Sequence, residues 1–262
     1  MQKYLISKGW EGFGDRIQCL SNCIVMSQRY NRTLYVDWTD TIWLEGFYRY
    51  FHFDGLEYTN DLKTIGQHLP VYPHYWKHKL MLPGNLWMYD MKDQLTFDPS
   101  KTYNFEDVWV HCGIGYREYN IVRLAQHLRI NSDITPLVYT EPITELPVVH
   151  LRGTDRNFSV DDWKRLREQA PIANVLSDDT TLIERWMNDS PESIVISNPK
   201  PNTTHYTVDG VDKHQMNLAL LKEFFIIASA KTAYPLNNDS LYFKMARMLG
   251  SCPDYKSMFV KN

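Results

Sequence analysis

The chain has 262 residues, 44% hydrophobic and 23% charged, with a formal net charge of −3. Such a chain can bury a sizeable core without disulfides or metal, and its charge leaves no electrostatic footprint for nucleic acid or an anionic membrane. No window approaches the ~20 apolar residues of a spanning helix. The opening Met1-Gln2-Lys3 leads into no apolar stretch of signal-peptide length, so a reducing cytoplasm is the expected setting.

In chain order, Lys3–Ser7 reads as a short strand, followed by the turn Gly9-Trp10-Glu11-Gly12-Phe13-Gly14. Ile17, Leu20, Cys23, Ile24 and Ser27 recur at helical spacing from Asp15 to Tyr30. Thr33–Asp37 is rich in β-formers, which completes a βαβ unit. Gly12 and Gly14 let the backbone approach a ligand, and the helix after them points free N–H groups at it. Glycines in such a turn are also ordinary structural residues. Cys19 and Cys23 lie four apart on this helix, and neither a CxxC pair nor a Cys/His cluster is visible along the chain. That pattern argues against a zinc site or a disulfide framework.

From Trp38 to Val108 the pattern weakens into irregular structure with short helices, marked by Pro70, Pro73, Pro83 and Pro99. Trp43, Phe47, Tyr48, Trp76 and Trp87 there suit either sugar stacking or a core. Val108–Cys112 reads as a strand and Asn120–Arg129 as a helix. Pro136, Pro142 and Pro147 mark a crossover between two domains, 1–140 and 141–262.

Beyond it, alternation is regular. Strands are expected at Pro147–Leu151, Ala173–Ser177, Ser193–Ser197 and Thr232–Leu236, and helices at Val160–Gln169, Thr180–Asn188, His214–Ala230 and Asp239–Leu249. This spacing implies an α/β fold with a doubly wound parallel sheet and a ligand at the carboxyl ends of its strands. Chemistry-bearing residues gather at those ends. The apolar run Val148–Val149 leads into His150-Leu151-Arg152-Gly153-Thr154-Asp155-Arg156. Arg152 offers a fork suited to phosphate oxygens, or it ties down the loop by pairing with an aspartate. In Ser177-Asp178-Asp179 one carboxylate serves as a helix N-cap, leaving the other for a ribose or base. Glu223 projects among Ala219, Leu220, Ile226 and Ile227. Its carboxylate either reaches solvent or needs buried donors, such as guanine N1–H and N2–H₂. Asn237-Asn238-Asp239-Ser240 combines side-chain donors with a helix N-terminus, a phosphate site or simple capping.

Taken together, Lys8–Arg16, Arg32-Thr33-Leu34, His150–Arg156, Leu176–Asp179 with Leu182, and Leu220–Met248 resemble the fucosyltransferase superfamily. That superfamily includes α1,6-fucosyltransferases, rhizobial nodulation fucosyltransferases and, more distantly, protein O-fucosyltransferases. The resemblance covers the N-terminus and residues 146–250 and is poor over 40–130, where acceptor recognition would reside. It implies two facing Rossmann-like domains of the GT-B type, the first on the acceptor side and the second holding a nucleotide sugar. It further implies inverting, metal-free transfer of fucose from GDP-fucose to an oligosaccharide or glycoconjugate hydroxyl, with no cofactor and no nucleic-acid partner. Arg152 would hold the β-phosphate, His150 and Glu223 the guanine, Asp178 and Asp179 the base and ribose, and Ser240 a phosphate. Gly12, Gly14 and Arg156 complete the expected donor set, and Asp155 and Asp161 are the candidate bases beside Arg152. Three positions depart from the family pattern. Gly153 stands where a second arginine is usual, with Arg156 as the nearest replacement. Glu223 replaces an aspartate. Val160 occupies the place of an acidic residue, followed by Asp161 and Asp162. A transferase using another nucleotide sugar, or a non-catalytic sugar-nucleotide or glycan-binding module, are the competing readings.

Overall fold

The computed structural model describes residues 2–9, 12–40, 42–66, 68–82, 106–112, 120–139, 141, 143, 145–153, 157–197 and 210–259. The chain divides into two compact units, Met1–Thr135 with Cys252–Asn262, and Pro136–Ser251. Each contains a four-stranded parallel sheet.

In the first unit the strands are β1 (Tyr4–Lys8), β2 (Thr33–Asp37), β4 (Val71–Tyr72) and β5 (Val108–Cys112), in the order β2-β1-β5-β4. Two-residue alternation sends Tyr4, Ile6, Val108, Val110 and Cys112 into one apolar cluster with Trp76. It sends Ser7 to the opposite face, where its hydroxyl lies 3.5 Å from Cys19 Sγ on helix α1 (Phe13–Arg29). His111, paired in register with Ser7, lies close by. Cys19, Cys23 and His111 thus form a buried cluster that the sequence pattern argued against, because β5 delivers the histidine from far along the chain. All four cysteines are buried thiols outside any disulfide.

The region read as irregular contains β4 and an antiparallel pair, β3 (Phe51–Phe53) with β6 (Leu128–Ile130). β6 follows directly on helix α2 (Ile121–His127), so the expected helix to Arg129 ends early. Trp43, Phe47 and Trp76 are buried. Trp38, Trp43, Phe47 and Phe51 pack edge-on or stacked around one another, so these rings are core. Tyr48 is half-buried and donates its hydroxyl to Thr59 O at 2.7 Å, and Trp87 lies outside the described residues. Two buried ion pairs, Lys8–Asp37 and Arg16–Asp40, sit where β1 and β2 end. Lys8 also donates to the carbonyls of Leu80 and Leu82, tethering that segment to the strand ends.

A one-turn helix, α3 (Thr135–Val138), stands where the proline-marked crossover begins. The second unit continues with β7 (Val148–Leu151), α4 (Val160–Gln169), β8 (Asn174–Ser177), α5 (Thr180–Asp189), β9 (Ile194–Val195), α6 (Lys213–Ser229), β10 (Ala233–Pro235) and α7 (Leu241–Gly250). Sheet order β10-β7-β8-β9 means the chain winds outward from β7 and then returns to its other side. Val149, Leu151, Val175 and Leu236 pack with Trp163 of α4 and Trp186 of α5 on one face. Ser159 and Asp162 form a reciprocal capping box that starts α4. Among the described residues, no helix is long and apolar enough to cross a membrane.

α6 and α7 meet closely at Gly250, where a β-carbon would collide with the backbone carbonyl of Ala228. Arg247 fastens the same junction by donating to Ile227 O and Ala230 O. A backbone obstacle cannot swing away as a side chain does. Gly250→Ala is therefore expected to lower unfolding free energy by about 2–3 kcal/mol, read from the denaturant midpoint; an unchanged midpoint would mean the helices separate without cost.

Candidate functional site

The switch in winding direction lies beside β7, and parallel sheets open a ligand crevice beyond the strand ends at such a point. Three loops of the second unit meet the requirement: those after β7, β8 and β10. Because Val149 and Leu151 face α4 and α5, strand alternation turns His150 to the opposite side. There its ring stacks 6.2 Å from Phe243 and lies 5.5 Å from Tyr242, both on α7. His150 is 5% exposed, and among the described residues its Nδ1 has no hydrogen-bond partner. Burial, aided by the Arg152 cation and opposed by Asp178, holds its pKa down to about 4. The imidazole is therefore neutral at physiological pH, and an unfilled buried nitrogen is the kind of group a ligand satisfies.

Two residues on, Gly153 N–H donates to Asp178 Oδ1 at 3.0 Å, joining the loops after β7 and β8. Ser177 reinforces the joint by donating to Leu151 O at 2.7 Å and accepting from Asp179 N–H at 3.0 Å. Asp179 is the N-cap of α5, accepting from Thr181 N at 2.8 Å and Leu182 N at 3.4 Å. The pair of carboxylates is thus divided as capping physics suggests: Asp179 fixes the helix, and Asp178 faces the site's other charges.

Gly153 has a local reason. A β-carbon there would lie 2.5 Å from Leu182 Cδ1 and 2.7 Å from Asp179 Oδ2. Asp179 cannot turn aside without releasing its cap. Gly153→Ala is expected to lower stability by about 1–2 kcal/mol, and Gly153→Arg by more, because its larger side chain meets the same obstacles. A thermal melt reads both effects; an arginine variant as stable as wild type would contradict this packing argument.

α6 presents Leu218, Leu221 and Phe224 to the core, with Glu223 half-buried among them. Among the described residues its carboxyl accepts no hydrogen bond. Burial first, then the neighbouring Asp178 charge, pushes its pKa up to about 8. Tyr242, in the first turn of α7, donates its hydroxyl to Leu220 O at 2.7 Å. Burial, then Glu223, raises its pKa well above the usual tyrosine value, while Arg152 opposes the shift. His150, Arg152, Asp178, Glu223 and Tyr242 thus come from four elements and act on one another electrostatically. Sequence reasoning passed over Tyr242. Its signal was its place two residues after Ser240 at a helix start, where an aromatic reads as part of an apolar face.

After β10, Ser240 is buried and caps α7, accepting from Phe243 N at 3.4 Å. Its oxygen accepts at the helix start, which leaves its O–H able to donate, and Asn237 offers a further group. Asn237 Nδ2 donates to Asn157 O at 2.9 Å, while its Oδ1 is buried and has no hydrogen-bond partner among the described residues. Asp161 stands exposed in the first turn of α4, next to the capping Asp162. Asp155 and Arg156 lie outside the described residues. Gly12 and Gly14 belong to the first unit, as N-cap and first-turn residue of α1. A cavity of about 420 Å³ in the first unit is lined by His52, Asp54, Arg129 and Asn131, among others, and by none of the expected donor residues.

No protein-family model and no curated protein sequence matches the chain. Its fold is that of solved fucosyltransferases. The structure of NodZ α-1,6-fucosyltransferase soaked with GDP-fucose superposes with a TM-score of 0.67 at 15% identity, covering 94% of this chain and 92% of that one. NodZ α-1,6-fucosyltransferase co-crystallised with GDP gives 0.65 at 14% identity, over 94% and 92%. Fucosyltransferase NodZ from Bradyrhizobium gives 0.63 at 14% identity, over 94% and 93%.

Proposed function

We propose that this chain is a glycosyltransferase that moves fucose from GDP-fucose to a hydroxyl of an oligosaccharide or glycoconjugate, with inversion and without a metal at the donor site. In a GT-B-type division of labour the second unit holds the donor and the first serves the acceptor, in a reducing cytoplasm. The observation that carries the proposal is the convergence of His150, Arg152, Asp178, Glu223 and Tyr242 beside the switch point. Unfilled buried polar atoms of His150 and Asn237 lie in the same unit. The fold is shared with proteins solved with GDP-fucose or GDP, which supports the choice of donor.

Each group then has a task. Glu223, once ionised, accepts the two N–H donors of guanine, and neutral His150 packs at the base. Asp178 steers the Gly153 amide and faces the ribose. As the C1–O bond breaks, its electron pair passes to the departing diphosphate, and Arg152 favours that growing charge more in the transition state than in the ground state. The acceptor oxygen forms the new bond to C1, and its proton passes to a carboxylate, with Asp155 and Asp161 the candidates. Holding both substrates in line lowers the entropic barrier.

The direct test is incubation with GDP-fucose and chelator, with and without a panel of glycan acceptors, following GDP release and fucose transfer. Release that increases with an acceptor is the expected result. Gly153, which removes one family cation, favours the rival reading of a non-catalytic binder. That reading predicts tight donor binding with the donor left intact.

A further inference from the structure

We propose that Cys19, Cys23 and His111, with the Ser7 hydroxyl at a fourth corner, form a structural site for a zinc-type divalent cation in the first unit. Cys19 and Cys23 are one helical turn apart on α1, so both thiols share a face. β5 brings His111 against that face, and β1 brings Ser7. One ligand atom from each of Cys19, Cys23 and His111 lies within 4.8 Å of the others. A tetrahedral zinc with Zn–S of roughly 2.3 Å and Zn–N or Zn–O of roughly 2.1 Å has ligand edges of roughly 3.4–3.8 Å. The Ser7 Oγ to Cys19 Sγ separation of 3.5 Å fits such an edge, and those among Cys19, Cys23 and His111, at up to 4.8 Å, would shorten by side-chain rotation on binding.

Charge selects the ion. All three main ligands are buried, where a net charge is strongly disfavoured. Two thiolates and a neutral imidazole around a divalent cation sum to zero, whereas a monovalent ion would leave a buried anion. Two sulfurs, a nitrogen and tetrahedral spacing match zinc rather than the harder divalent ions. The site is unconnected with the donor chemistry proposed for the second unit. Its effect would be to staple α1 to β1 and β5 and so fix the Gly12 turn from which α1 starts.

The test uses the full chain expressed in medium supplemented with zinc or cobalt and purified under reducing conditions without chelator, so that metal enters during folding. One ion per chain is expected, and the cobalt protein should show thiolate-to-cobalt charge-transfer absorption with tetrahedral visible bands. The Cys19→Ser, Cys23→Ser double variant should lose both signals, and His111→Gln should weaken retention at least tenfold. A folded wild-type chain with well under one ion, or cobalt lacking the charge-transfer band, overturns the proposal without any variant. Full metal content in the folded double variant overturns it too. None of these readings depends on transferase activity, so the failure of either proposal is separable from the other.

Discussion

Arg152→Ala is expected to lower turnover of GDP-fucose about 10²–10³-fold, the usual loss when a preorganised group facing transition-state charge is removed. Arg152 follows β7 directly, at the strand end where a parallel sheet presents its ligand. Its charge is felt by His150 and by Tyr242, which places it within the cluster rather than on a remote surface. If it holds the β-phosphate mainly as the leaving group departs, kcat falls more than KM rises. Arg152→Lys keeps the charge and loses the planar fork, so it should fall between the two. The variant has a second signature. Arg152 helps to hold His150 neutral, so its removal should raise the pH at which His150 titrates, visible by NMR of the ring protons. Full activity in a folded Arg152→Ala chain would remove this residue from the mechanism.

Glu223→Gln should weaken GDP binding about 10²–10³-fold at pH 8 and remove most of its pH dependence. The carboxyl titrates at about 8 in the free site, so at pH 7 it is mainly protonated. Accepting two N–H donors requires the ionised form, so binding below pH 8 expels a proton. Wild-type affinity relative to the Gln variant should therefore rise about tenfold per unit up to pH 8 and level off above. Comparison with the variant cancels the titration of the GDP phosphate. His150, held near 4, contributes nothing in this window. Stability should move the opposite way. A carboxyl raised from 4.5 to about 8 binds more protons folded than unfolded between those values, so free-protein stability falls as pH rises through that range. Glu223→Gln escapes this loss and should melt higher than wild type at pH 8 without ligand. A variant that is both more stable and a poorer binder identifies a residue kept for its ligand. Equal GDP affinity in both chains would sink the guanine role.

The alternating half of the fold was legible because each strand from β7 to β10 is brief, carries an apolar pair and alternates with helices of ordinary length. The short strands were not. β4 has two residues, and β6 follows α2 without a turn signal, so helical periodicity ran on through Arg129. Of the site, the strand-end position of His150 and Arg152 could be inferred from chain order alone. The division between Asp178 and Asp179 could not, because either could cap α5 until the backbone chose. Ser240 read as a phosphate ligand; its oxygen caps α7, which leaves its O–H able to donate, and the neighbouring Asn237 Oδ1 adds a buried polar atom without a hydrogen-bond partner among the described residues. Tyr242 and the Cys19–Cys23–His111 cluster escaped notice for a common reason. Their partners come from distant segments, and only the sheet brings them together.

The most direct test of a guanine-nucleotide donor site is a thermal-shift comparison of GDP, UDP, ADP and dTDP on the full chain, with chelator present throughout. Ligand at a hundredfold excess over Kd adds about 2.7 kcal/mol, or roughly 5–10 °C for a chain of this size. The account predicts a shift of that order with GDP and little with the other three. An equal shift with UDP or dTDP, or none with any nucleotide, would contradict it.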